Sequence, residues 1–254
     1  MLMVSPGITG ASHGLESALF WVFARMDVCG GLISSEKTLI PMPKWMDADD
    51  PDADIATFVG SFDMYANHMV YLCGRVVDLL CTSGKWEQRQ QRSRRIIVDY
   101  LSEWTRLFSL VERWYANRPE EMKPLLQIPN IAQPFATTLF GSGPAISGNQ
   151  MYHTAALLML KYKPAQVSRK QQQQQQQQQG SLLWHARQIC AISISNEHHG
   201  AWTNSTQPLW IAGQQMSHAS EHRAILAIYE RIERETGWAT QWRAEDLREF
   251  WGEA

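Results

Sequence analysis

Apolar positions along this chain recur at the three- and four-residue spacing of helices, without the strict alternation of half-buried strands. Leu15, Leu19, Val22, Phe23 and Met26 form the first such stripe and Gly30-Gly31 follows as a stop signal, which predicts a helix with that stripe buried. The next stretch, SSEKTLIPMPKWMDADDPDAD, sets Pro41, Pro43 and Pro51 among acids and reads as an irregular connection over the surface. A second helical segment is predicted from about Asp54 to Cys81, on Phe58, Phe62, Tyr65, Met69 and Leu72. A third runs from about Trp86 to Asn117, ahead of Pro119, on Ile97, Leu101, Trp104, Phe108 and Val111.

Prolines and glycines punctuate the region between Pro124 and Pro144, which reads as loop. Helical periodicity returns in MYHTAALLML, where Tyr152, Ala155, Ala156 and Met159 share a face. Nine consecutive glutamines, Gln171 to Gln179, have no apolar face to bury and read as a solvated, disordered insert spanning 169–180. A sticky self-association element is the functional alternative for that tract. Another apolar run, SLLWHARQICAISIS, follows it. The pattern predicts an all-α fold, a multi-helix domain over 1–254 interrupted by that low-complexity insert.

After Ser220, read as an N-cap, Ile225, Ile228, Tyr229 and Ile232 form an apolar stripe, with Glu230 and Arg234 as an i, i+4 pair on another face. Gly237 is placed as the left-handed residue that ends this helix, letting Trp238 fold back on Ile232. The closing stretch GWATQWRAEDLREFWG holds three of the chain's eleven tryptophans. Its rings and arginines suit either nucleobase stacking or a terminal clamp. The helical spacing favours the clamp, with Leu247, Phe250 and Trp251 inward and Arg243 and Arg248 on the polar side.

With 254 residues, 44% of them hydrophobic, the chain can bury a substantial core without disulfides or metal. A net charge of −2 argues against binding nucleic acid or anionic membrane through overall charge. Cys29, Cys73, Cys81 and Cys190 are far apart, contain no C-x-x-C pair, and read as reduced, buried small hydrophobes. The absence of a basic n-region and of an unbroken run of eighteen apolar residues predicts a soluble, intracellular protein with no membrane partner. The Asn204-Ser205-Thr206 sequon is then incidental.

Chemistry-bearing candidates are few. HASEH, His218 to His222, fits the H-x-x-E-H spacing of a group of zinc peptidases, but little chain remains to supply a third ligand, and a cap at Ser220 would leave His218 outside the helix. DADDPDAD, Asp47 to Asp54, has the carboxylates to hold magnesium and a diphosphate, yet Pro51 interrupts it and no second acidic set follows. NEHHG, Asn196 to Gly200, and the lone His153 and His185 lie near no serine or cysteine nucleophile motif. Lys85, Arg89, Arg92 and Arg95 form a basic stripe suited to phosphate contact, or more simply to a solvated helix face. No catalytic, cofactor-binding or metal-ligating residue is therefore assigned. A metal-dependent all-helical enzyme using the 218–222 or 47–54 segment is the competing reading.

The run QPLWIAGQQMSHASEHRAILAIYERIERETGWATQWRAEDLREFWG, Gln207 to Gly252, resembles the end of the regulatory region in fungal binuclear zinc-cluster transcription factors. ALFWVFARMDVCGGLIS, MYHTAALLML and ISISN resemble earlier pieces of that region, in order. The resemblance implies an all-helical regulatory domain of a nuclear transcription factor that controls RNA polymerase II output rather than catalysing a reaction. It implies co-regulator partners, no cofactor in this chain, and effector signals with no effector-binding residue carried over. It also allows a homodimer. The family's DNA-binding module needs six cysteines around two zinc ions, which the four here do not provide, so the expectation is DNA contact only through a missing N-terminal module or a partner.

Overall fold

The computed structural model describes residues 14–45, 62–84, 94–165, 167 and 180–253. Among them are eight α-helices and one two-stranded sheet, an all-α fold. The helices are α1 (Gly14–Ser34), α2 (Phe62–Thr82), α3 (Arg94–Ala116), α4 (Gly143–Lys161), α5 (Leu182–Ser195), α6 (His199–Gly213), α7 (Ala219–Thr236) and α8 (Gln241–Trp251). Phe58, the acidic run Asp47 to Asp54, the basic residues Lys85, Arg89 and Arg92, and the glutamine tract lie outside the described residues, as do the side chains of Arg95 and Ile97.

α4 is the centre. It packs against α2, α3, α5 and α6, and every residue from Ala145 to Met159 except Ser147 is buried. Helix initiation there is local: Ser142 Oγ accepts the Ala145 N–H at 3.3 Å, and a proline sits in the first turn, where its missing N–H costs no bond. α5 starts in the same way, with Ser181 Oγ accepting the Trp184 N–H at 3.1 Å.

The first helix departs from expectation twice. It runs through Gly30-Gly31 to Ser34, and the chain turns at Ser35, whose φ is 57°. Gly31 is a contact residue: a Cβ there would lie 2.8 Å from Val77 Cγ1 and 3.0 Å from the Glu36 carbonyl oxygen, so its missing side chain lets α1 approach α2. The buried face is also the other one. Phe20, Trp21, Ala24, Val28 and Leu32 enter the core, while Leu15, Val22, Phe23 and Met26 are exposed and Leu19 is half-buried. Both faces are apolar at helical spacing, so periodicity alone does not say which one is covered.

For the same reason α1 has the length and apolarity of a membrane span. It nevertheless carries Asp27, whose carboxylate accepts the Leu39 and Ile40 N–H groups, each at 2.8 Å.

Tryptophans bolt the helices together by filling the core and donating to a distant carbonyl. Trp104 donates to Met159 (3.0 Å), Trp202 to Ser193 (2.9 Å) and Trp251 to Gly213 (3.0 Å). Trp114 donates to the Tyr65 carbonyl at 2.9 Å while the Tyr65 hydroxyl returns a bond to the Trp114 carbonyl at 2.6 Å. A proline inside α6 is accommodated similarly. Pro208 has no N–H for the Asn204 carbonyl, and the Cys29 thiol approaches that oxygen at 3.9 Å.

The segment read as loop contains a small hairpin: β1 (Leu126–Ile128) pairs antiparallel with β2 (Thr137–Leu139), placing Gln127 opposite Thr138. Asn196, at the end of α5, holds it. Its amide nitrogen donates to the Thr138 carbonyl at 2.8 Å, and its oxygen accepts the Phe140 N–H at 2.9 Å.

Further corrections fall in the last third. His218, not Ser220, caps α7, its Nδ1 accepting the Ser220 N–H at 3.2 Å. The i, i+4 ion pair is Arg231 with Glu235 at 2.8 Å, and Arg234 also reaches Glu235. Gly237 does adopt the left-handed conformation, φ 73°, that ends α7. Trp238, however, is exposed, and its N–H donates to Thr236 Oγ1.

Candidate interaction surface

The two histidines of HASEH diverge. His222 lies flat on the Trp251 indole, with ring centroids 3.8 Å apart, and its Nδ1 is 2.7 Å from Glu253 Oε1. Its Nε2 faces the Met216 carbonyl at 3.3 Å. Both ring nitrogens thus face oxygens, while the His218 nitrogen is turned to its cap. Glu221 is buried in an ion pair with Arg187 at 2.9 Å. Among the described residues, no three His, Cys, Asp or Glu side chains gather as a metal-ligand set.

NEHHG is structural as well: Asn196 secures the hairpin, His198 Nδ1 accepts the Ala201 N–H to cap α6, and His199 stacks on Trp202. Among the cysteines, Cys73 and Cys190 are buried while Cys29 and Cys81 are half-buried, and all four are free. Burial pushes the Cys29 thiol up to about 12, far from the thiolate that a nucleophile needs.

His153 and His185, distant in sequence, are brought together between α4 and α5 with their Nδ1 atoms 3.0 Å apart. One must hold the proton that the other accepts. Burial drives the His153 pKa well below its ordinary value, with His185 and Arg118 adding to the effect, so His153 is held neutral. Tyr152, Tyr115 and Trp184 surround it, and Arg118 lies 3.4 Å over the Tyr115 ring. The Tyr152 hydroxyl donates to Glu112 at 3.1 Å, and burial raises that carboxyl to about 7. This is a satisfied buried network rather than an open site.

Among the described residues, the largest run of exposed apolar side chains on one helix lies on α1. The outer face of α1 and the loop after it form a cleft of about 610 Å³, with Phe23, Met26, Gly30, Leu39, Ile40 and Pro41 on its walls. Leu15, Val22 and Ile33 extend the exposed stripe along the helix. A contiguous apolar face of this kind is uncommon on a surface left in water. Leu15, Val22, Phe23 and Met26 were legible in the sequence as a helical stripe; that they face outward, and that Ile33, Leu39 and Pro41 join them, was not. The competing stripe, with Phe20, Trp21 and small Ala24 and Gly31 at its close contacts, was the missed signal.

The terminal aromatic stretch is divided between core and surface. Arg243, expected on the polar side, is only 5% exposed. It lies between the Trp210 and Trp242 rings, 4.5 and 4.1 Å from their centroids, and donates to Gln207 and Asp246, each at 2.7 Å. Leu247 is buried, Trp251 half-buried, and Phe250, expected inward, is exposed.

No family model matches the chain, and no solved structure does. Among curated proteins it is similar to the transcription activator AMTR1 of Alternaria alternata, at 22% identity over an alignment of 278 positions. That alignment takes in 92% of this chain and 35% of the activator, so the chain spans about a third of the length of the relative it matches.

Proposed function

We propose that this chain is a regulatory and interaction module of a fungal transcription factor, acting in the nucleus through protein partners rather than by catalysis. The observation that carries the reading is the likeness to a transcription activator along nearly all of the chain. The exposed stripe of α1 supports a mechanism by contact, because apolar area left in water is recovered when a partner covers it. DNA contact would be supplied elsewhere in a longer protein or by a partner, since the four cysteines are spread over three helices, α1, α2 and α5, and fall short of the six a binuclear cluster needs.

The test is a fusion of residues 1–254 to a heterologous DNA-binding domain, assayed on a reporter in fungal cells alongside a fluorescent version for localisation. A change in reporter output, lost in Val22→Asp and Met26→Asp variants that still fold, is expected. Output at baseline with the protein excluded from nuclei would overturn the proposal. So would stoichiometric zinc in the purified protein that is lost on His222→Ala.

A further inference from the structure

α8 presents a second and chemically different face. Trp242, Glu245, Asp246, Glu249 and Phe250 follow the i, i+3, i+4, i+7, i+8 spacing of one helical stripe, opposite the buried Ala244 and Leu247. Trp242 is 42% and Phe250 57% exposed, so two aromatic rings bracket three carboxylates. Trp242 is held still: its indole N–H donates to the Ala239 carbonyl at 3.1 Å, and its inner face rests on Arg243, itself fixed by Gln207 and Asp246. Among the described residues neither Glu245 nor Glu249 has an ion-pair partner, so the face between the rings is net acidic.

We propose that this stripe is a docking site for a basic amphipathic helix of a partner protein, with lysine or arginine set among leucine-like residues. Charge complementarity selects the occupant. The acids repel nucleic acid and anionic lipid, and they oppose one another in a symmetric pairing of two α8 faces. A cationic helix neutralises Glu245 and Glu249, buries Trp242 and Phe250, and places its charges near ring faces, where cation–π attraction adds to ion pairing. A pre-ordered tryptophan loses little conformational freedom when it is covered, which suits it as an anchor. The surface is separate from the α1 cleft, and the inference does not rest on the transcriptional reading.

The probe is a fluorescent helical peptide of alternating leucine and lysine faces, titrated with the full chain, with a leucine/glutamate peptide as its counterpart. The lysine peptide is expected to bind more weakly as salt rises, and the glutamate peptide not to bind. Trp242→Ala is expected to weaken binding by about tenfold or more. Because that residue also covers Arg243, the deciding variant is Glu245→Lys with Glu249→Lys, whose side chains are exposed; it should abolish binding. Asp99→Lys with Glu121→Lys changes the net charge equally at exposed sites on other elements and should leave binding intact. Equal losses in the two double variants, undiminished binding by the first, or a dimer of the free chain that Phe250→Ser dissociates would each overturn the proposal.

Discussion

His222 and Trp251 stack with their planes 3° from parallel, and the indole N–H reaches across to the Gly213 carbonyl at the end of α6. One ring thereby ties α8 to α6 and α7. Trp251 is half-buried, so truncation to alanine removes less than a full core tryptophan would, about 2 to 3 kcal/mol against the 3 to 5 typical of a buried ring. Trp251→Phe keeps the stack but leaves the carbonyl without its donor, at about 1 kcal/mol. Urea denaturation of the two variants gives both values, and an unchanged midpoint for alanine would mean that the ring does not carry the joint.

The assignment of α1's faces makes a sharp contrast between neighbours. Phe20 is 1% exposed and Phe23 37%. Phe20→Ala should cost about 3 to 5 kcal/mol through lost transfer energy and a cavity, and Phe23→Ala about 1 kcal/mol or less. Equal costs would mean that the outer stripe is covered in the free chain.

Helix positions and faces were legible in the sequence to different degrees. α3 and α7 have one apolar face each, and Trp104, Phe108 and Val111, like Ile225, Tyr229 and Ile232, are buried as their spacing requires. α4 is buried all round, so a face made of Tyr152, Ala155, Ala156 and Met159 describes only part of its contact. In α1 the two faces compete, and the choice rests on what α2 and α6 offer, which local spacing does not encode. The hairpin escaped for a related reason: three-residue strands contain too few positions for alternation to register, and their support comes from Asn196, far along the chain. Arg243 was missed because an arginine counts as polar in any pattern, while its burial depends on Gln207 and Trp210 in another helix.

Gly30 and Gly31 look equivalent in sequence and differ in the fold. A Cβ on Gly31 meets Val77 and the Glu36 carbonyl, whereas one on Gly30 meets nothing within 4 Å. Gly31→Ala should therefore destabilise by about 1 to 3 kcal/mol through overpacking. Gly30→Ala should stabilise by roughly 0.5 to 1 kcal/mol, because alanine restricts the unfolded chain and suits a helix interior. Thermal melts of the single variants check both signs, and a stabilising Gly31→Ala would mean that α1 and α2 can separate at little cost.

Glu112 and the buried histidines give stability opposing dependences on pH. Burial raises the Glu112 carboxyl to about 7 in the fold, so the folded state favours its protonated form. Its contribution is full below the unfolded value of about 4.3 and is lost as pH rises through about 7. His153 and His68 are displaced downward, His68 to about 4, chiefly by burial. Their contribution is full above the unfolded value of about 6.5 and is lost as pH falls toward their folded values. Glu112→Gln preserves an acceptor for the Tyr152 hydroxyl and removes the charge. It should therefore melt higher than the parent at pH 8, with the gain shrinking at pH 5 and vanishing near pH 4. Melting curves of the two proteins across that range decide it: a gain that does not vary with pH would show that the carboxyl titrates in the fold as it does in the unfolded chain.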